Sequence, residues 1–249
     1  MITSLLLFFI ISFLILLSTI GYGLIFSKIL KLENFNYNYG LIGFLGLFFL
    51  SIIASLTHII LPHNFIHNIL TIFFGLISLA IYDQKNYKKI GNITIIFFLL
   101  FICILMSKTN EDFGYYHLPN SVQFAQQKLQ FGLGNLNHGF KHISSLFILM
   151  SLSYLPFFKF YLFNIVNLLF LIFFASFVLI EIYQRNSKNS NLGSLILCMF
   201  LILFLTKFSR LAEYGADISG QIVIAIYSFY LLEFFYNKNI KFYNKANYL

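Results

Sequence analysis

Long, almost uninterrupted apolar runs alternate along this chain with short polar connections. The runs cover about 3–27, 40–60, 65–82, 93–107, 160–183, 193–208 and 218–236. A hydrocarbon core of about 30 Å needs roughly 17 to 25 apolar residues of helix, so the pattern predicts about seven membrane-spanning helices. Continuous stretches such as Ile2 to Phe26 and Phe160 to Ile180 exclude the short alternating strands of a β-barrel. The expected fold class is all-α, a polytopic integral membrane helical bundle, with juxtamembrane or re-entrant helices in one large loop.

One apolar segment, 143–155, is only 13 residues long. As a helix it reaches about 20 Å, short of a crossing, and charge decides how to read it. If it does not span, one side of the membrane receives Lys28, Lys31, Lys85, Lys88, Lys89, Arg185, Lys188, Lys238, Lys241 and Lys245, ten basic residues, and the other receives Lys108, Lys128, Lys141, Lys159, Lys207 and Arg210, six. If it spans, the split becomes eight to eight. The positive-inside rule favours the first arrangement, with the N-terminus and the 108–159 loop outside and the 237–249 tail in the cytoplasm. Glu111, Asp112, Glu213 and Asp217 then share the outer face.

Composition adds limits. Of 249 residues 59 % are hydrophobic and 10 % charged, and the mean hydropathy is +0.85, which a water-soluble surface does not tolerate. The net charge of +8 lies in short loops flanking the spans, so nucleic acid is not an expected partner and the lipid bilayer is. The excess of Phe, Ile, Asn, Lys and Tyr resembles coding bias, which lowers the weight of individual aromatics. Cys103 and Cys198 fall inside apolar runs, far from any Cys-x-x-Cys spacing, and read as small core residues. The first run lacks a basic region and a cleavage site, so it reads as a retained helix. Within the loop, 117–131 is amphipathic, with Pro119 in its first turn and Leu118, Val122, Ala125 and Leu129 on one face.

The loop opens with Glu111 and Asp112. Asp112 is followed at fixed distance by Tyr116-His117-Leu118-Pro119, then Gly132-Leu133-Gly134-Asn135-Leu136-Asn137-His138, then Ser144-Ser145-Leu146-Phe147. Over roughly 93–236 this pattern resembles an uncharacterised bacterial group related to the C-type (GT-C) membrane glycosyltransferases. The resemblance implies a helix entering the outer face, an acidic motif at the head of the first external loop, and two juxtamembrane helices within it. It divides the chain into accessory helices over 1–92, a GT-C-like core over 93–236 and a tail over 237–249. Three helices precede the matching region and three spans follow it, fewer than such transferases usually carry, which is also the arrangement of a fragment, of one half of a two-subunit enzyme or of a degenerate relative.

What the resemblance implies for chemistry is transfer from a lipid-linked, polyprenyl-phosphate type sugar at the outer face of the bacterial cytoplasmic (inner) membrane. Asp112 is the expected central carboxylate, with Glu111 and His117 as further catalytic candidates. Tyr116, Asn135, His138, Lys141, Arg210 and Asp217 are the expected substrate-binding residues, Lys141 and Arg210 as partners of a donor phosphate. Gly132, Gly134 and Gly139 offer backbone N–H groups to a phosphate or form turns. The i, i+4 pairs His63/His67 and His138/His142 have a metal-binding spacing, so the cofactor stays unknown, a divalent metal being one option. Two other classes remain: a transporter or flippase component, and a non-catalytic membrane subunit with a second membrane protein as partner.

Overall fold

The computed structural model describes residues 2–32, 38–83, 87–106, 111–186, 191–207, 215 and 217–236. The helices are α1 (Ile2–Ile29), α2 (Tyr39–His58), α3 (Phe65–Tyr82), α4 (Tyr87–Leu100), α5 (Ile102–Leu105), α6 (Leu118–Gln126), α7 (Leu133–Leu136), α8 (Ser145–Ser151), α9 (Ile165–Asn186), α10 (Asn191–Thr206) and α11 (Asp217–Tyr236). No strand occurs among the described residues, only a bridge between Leu155 and Lys159. The fold is all-α, as expected.

Five helical stretches are long and apolar enough to cross a membrane: Thr3–Ile29, Tyr39–His58, Phe65–Tyr82, Phe160–Arg185 and Asp217–Phe235. Two shorter apolar stretches, Ile90–Leu105 and Leu192–Thr206, fall where further spans were expected. The chain is built as a multi-pass membrane protein. Burial ranks the spans: 72 % of the window in α9 is buried against 17 % in α3, so α9 is the central post and α3 faces outward. Phe173, Phe174 and Phe177 of α9 are fully enclosed.

Apolar surface gains little by leaving lipid for protein, so helix association in a bilayer relies on close fit. The α1–α2–α3 unit supplies it through glycine. The backbone of Gly21 in α1 lies against Gly75 in α3, and Gly46 in α2 lies against Thr19, each too near for a Cβ. Caps then fix where helices begin. Asn38 accepts from Gly40 N–H at the head of α2, Asn64 from His67 N–H at α3, and Ser144 from Leu146 N–H at α8.

Contacts sort the helix ends into two groups. At one end Lys28 stacks on Tyr82, the Tyr39 hydroxyl bonds Asp83, and Arg185 pairs with Glu181 and Glu233. At the other, Asn68 in the first turn of α3 reaches the Ser151 and Tyr154 carbonyls, and Phe8 near the head of α1 packs on Phe101 and Phe158. The chain thus enters and leaves the 111–159 loop at the same end of the bundle. The segment 143–155 does not cross it: α8 has seven residues, about 10 Å of helix.

Two expected elements differ in extent. The run 93–107 begins earlier, at Tyr87, and is interrupted at Phe101, whose ring packs on Phe8, Phe9 and Phe97. The helix expected over 117–131 stops at Gln126, because the chain then extends so that Leu129 N–H reaches the His58 carbonyl. Its buried face carries Asn120, Ser121, Phe124 and Ala125, while Leu129 is exposed. Polar partners waiting in the loop outweigh the apolar pattern there.

Candidate functional site

Pro119 shapes the start of the site. It has no N–H to give and its ring crowds the carbonyl four residues back, so a regular helix cannot run through 115–119. The chain widens instead: Phe113–His117 is a single π-turn, closed by Leu118 N–H on the Phe113 carbonyl, a feature common at functional positions. Asn120 then donates to the carbonyls of Tyr116 and Gly139, and Ser121 to that of His117. Gly139 lies so close to the Tyr115 carbonyl and Tyr116 Cβ that a side chain would collide, which accounts for that glycine by packing. Gly132 has φ +85°, a turn position.

His117 is the buried centre, 5 % exposed. Its ring meets Tyr116 at 4.3 Å and Phe147 at 5.2 Å between centroids, and its Nδ1 has no hydrogen-bond partner among the described residues. Tyr116 donates from its hydroxyl to Asp112 at 3.4 Å and continues through His142, 5.1 Å away, to His138, a further 5.3 Å.

A second connection, between α10 and α11, is held at Gly215 by a residue of α9. Asn167 is 2 % exposed; its amide donates to the Gly215 carbonyl at 3.1 Å and accepts from the Ser219 hydroxyl at 2.7 Å. Gly215 is thereby set beside the imidazole, where a side chain's first carbon would be 3.7 Å from His117 Cε1. Asp217, the first residue of α11, lies on the solvent side. Burial pulls the His117 pKa below its usual value while Asp112 and Asp217 both push it up. Burial, Asp112 and Asp217 together raise that of Tyr116. A neutral imidazole between two carboxylates can accept, hold or relay a proton.

A family model described as Domain of unknown function (DUF8201) matches residues 5–249. The chain belongs to this family. No curated protein and no solved structure matches it. The matched span takes in both connections of the site, so the DUF8201 domain holds the whole constellation.

Of the residues expected from sequence, Asp112, Tyr116 and His117 come together, Asp112 at the exposed edge, and Asp217, also exposed, acts on Tyr116 and His117 through its charge. His138 joins them only through His142, and it sits in a 3-10 turn, His138–Lys141, with His142 just beyond; the pair does not share a regular helix face. Glu111, Asn135 and Lys141 are exposed. Lys141 lies over Gly134 rather than against Asp112. Arg210 and Glu213 lie outside the described residues. Neither His63/His67 nor His138/His142 belongs to a group of three ligands able to hold a metal among the described residues. His63 precedes the Asn64 cap of α3, so those two imidazoles stack at 4.8 Å instead of projecting from one helix face.

A cavity of about 600 Å3 opens between α2 and α11 at the depth of the spans. Its walls are Leu41, Phe44 and Phe48 on one side and Val223, Ile226 and Tyr230 on the other, with Phe170 of α9 behind. Ser145 and Leu149 of α8 line its end. The same short helix turns Phe147 toward His117, so one seven-residue element separates the apolar groove from the polar site.

Asn167, Asn120 and Ser219 were not read from the sequence. Asn164 and Asn167 are polar residues at the head of an otherwise apolar run, where a polar group needs a partner, but nothing in the sequence names that partner.

Proposed function

We propose that this protein is a GT-C-like membrane transferase acting on a lipid-linked, polyprenyl-phosphate type sugar at the outer face of the bacterial cytoplasmic membrane. In this reading α4–α5 and α10 also cross, giving seven spans, and the 111–159 loop is external. The observation that carries the proposal is the cluster of Asp112, Tyr116 and His117, with the charge of Asp217 acting on it, on one side of α8, and an apolar cavity of about 600 Å3 on the other. An acidic, proton-handling site one short helix away from an apolar groove suits a substrate that is polar at one end only.

In the proposed reaction Asp112 takes the proton of an acceptor hydroxyl as its oxygen attacks the anomeric carbon. The glycosyl–phosphate bond breaks and its electron pair leaves with the lipid phosphate. His117, kept neutral by burial, orients the reacting hydroxyl, and Asp217 completes the acidic wall. Carrier-type transport is less well supported, because the span carboxylates Glu181 and Glu233 are both engaged by Arg185. The test is genetic: where deleting the gene abolishes a glycan or lipid-sugar product, Asp112→Asn should abolish it too, and full product from that variant would refute the role.

A further inference from the structure

We infer that Asn167 is a positioning residue: by clamping the chain on both sides of Asp217 it holds the second connection against His117 and makes two loops into one site. The inference rests on the reading of Asp112, His117 and Asp217 as a functional site, and it adds the element that assembles it.

The geometry is specific. Asn167 projects from the head of α9, the most buried helix, and its position is set by packing rather than by solvent. Its amide nitrogen takes the Gly215 carbonyl and its amide oxygen takes the Ser219 hydroxyl. These partners flank Asp217 at two residues before and two after. A donor and an acceptor on two separate atoms are needed to reach both partners, which an amide offers and a carboxylate or an aliphatic chain of that size does not; a hydroxyl has both functions but on a single atom. Because the contact is buried, each partner left alone would be an unsatisfied polar group. Gly215 then brings its backbone to His117, and Ser219 seats the first turn of α11 on α9.

The consequence is electrostatic. Asp217 opposes the effect of burial on His117 only while the connection stays where Asn167 holds it. Loss of the clamp withdraws this carboxylate and also uncovers the imidazole on its Gly215 side, which relieves burial, the larger influence, so its signature is the loss of Asp217's effect on His117 rather than a shift of fixed sign. A residue that merely stabilised the bundle would leave that effect in place.

The experiment is titration of His117 by NMR of ring-labelled histidine in the full-length protein in nanodiscs, without substrate. D217N is expected to lower the His117 pKa. In an N167L background the same substitution is expected to change it little, because the carboxylate is no longer held near the ring. A drop on D217N as large in N167L as in the otherwise wild-type protein would overturn the inference. S219A, which removes one hydroxyl and serves if N167L does not fold, should likewise shrink the effect of D217N, and an undiminished effect overturns the inference as well. Since no substrate is present, failure of this test is distinct from failure of the transferase reading, which the Asp112→Asn product assay decides.

Discussion

The side-chain amide of Asn68, in the first turn of α3, donates to the carbonyl of Ser151 in α8 at 2.8 Å. The same amide reaches the carbonyls of His63 at 2.8 Å and Tyr154 at 3.0 Å. One fully buried side chain thus ties the polar loop to the membrane bundle. Asn68→Leu would leave these acceptors without their donor and should cost about 2 kcal/mol. A lower unfolding temperature in detergent checks it, and an unchanged one would show that the loop docks by apolar contact alone.

His63 lies in the same seam, fully buried. Its Nε2 faces the Ala54 carbonyl at 3.0 Å, which only accepts, so Nε2 carries the proton, and Nδ1 lies 2.6 Å from the Ser151 hydroxyl, whose single proton is shared with the Ile148 carbonyl at 2.6 Å. Burial first, then His67 and His58, lower its pKa to about 3. The unfolded chain, near 6.5, therefore takes up the proton first. Stability is complete above about pH 6.5 and falls as the pH drops toward 3. Unfolding temperatures of wild type and His63→Gln across this window should show a shallower slope in the variant. Some slope persists there because His117 acts in the same direction; coincident slopes would remove His63 from the account.

How much of this was legible in the sequence follows from what each feature depends on. The long runs were, because span length is set by the bilayer and not by neighbours. The non-crossing of 143–155 was legible from ten basic residues against six, and α8 bears it out. The Asp112–Tyr116–His117 cluster was visible as a motif, and the approach of Asp217 to it followed from putting both connections at one end. The clamp by Asn167 was not legible, since nothing local distinguishes it from Asn164 three residues earlier, whose Oδ1 has no partner among the described residues. The histidine pairs were misread for a local reason: the Asn64 cap starts α3 after His63, and a spacing of four means little outside a helix. The groove between α2 and α11 depends on long-range packing and has no sequence pattern of its own.

The seam between α1 and α3 should be intolerant of even a methyl group. A Cβ on Gly21 would occupy the space of the Gly75 carbonyl, which is backbone and cannot turn aside. Gly21→Ala should therefore separate the helices and cost several kcal/mol, outweighing any gain in helix propensity. Gly220→Ala, where nothing lies within 4 Å, should be close to neutral. Comparable unfolding temperatures for the two variants would show that the seam relaxes.

At the far end, Arg185 holds Glu233 at 2.8 Å and Glu181 at 3.2 Å, with its guanidinium over Phe229. All three side chains are largely buried. Arg185→Met would strand two carboxylates together and should cost about 3 kcal/mol. Adding Glu181→Gln and Glu233→Gln should restore most of that loss in a thermal unfolding series. Without such recovery, the cost belongs to the guanidinium's packing on Phe229 rather than to unpaired charge.

The central claim is that Asp112, His117 and Asp217 act on a sugar carried by a polyprenyl phosphate. Its most direct measurement is release of polyprenyl phosphate from a panel of polyprenyl-phosphate sugars by purified protein in nanodiscs, with cell-envelope extract of the deletion strain supplying the acceptor hydroxyl and extract alone as the blank, compared among wild type, Asp112→Asn and Asp217→Asn. Release by the wild type from at least one donor is expected, with a loss of about 100-fold or more in Asp112→Asn and a smaller loss in Asp217→Asn. Release at the wild-type rate by Asp112→Asn, or none from any donor by the wild type, would contradict that claim.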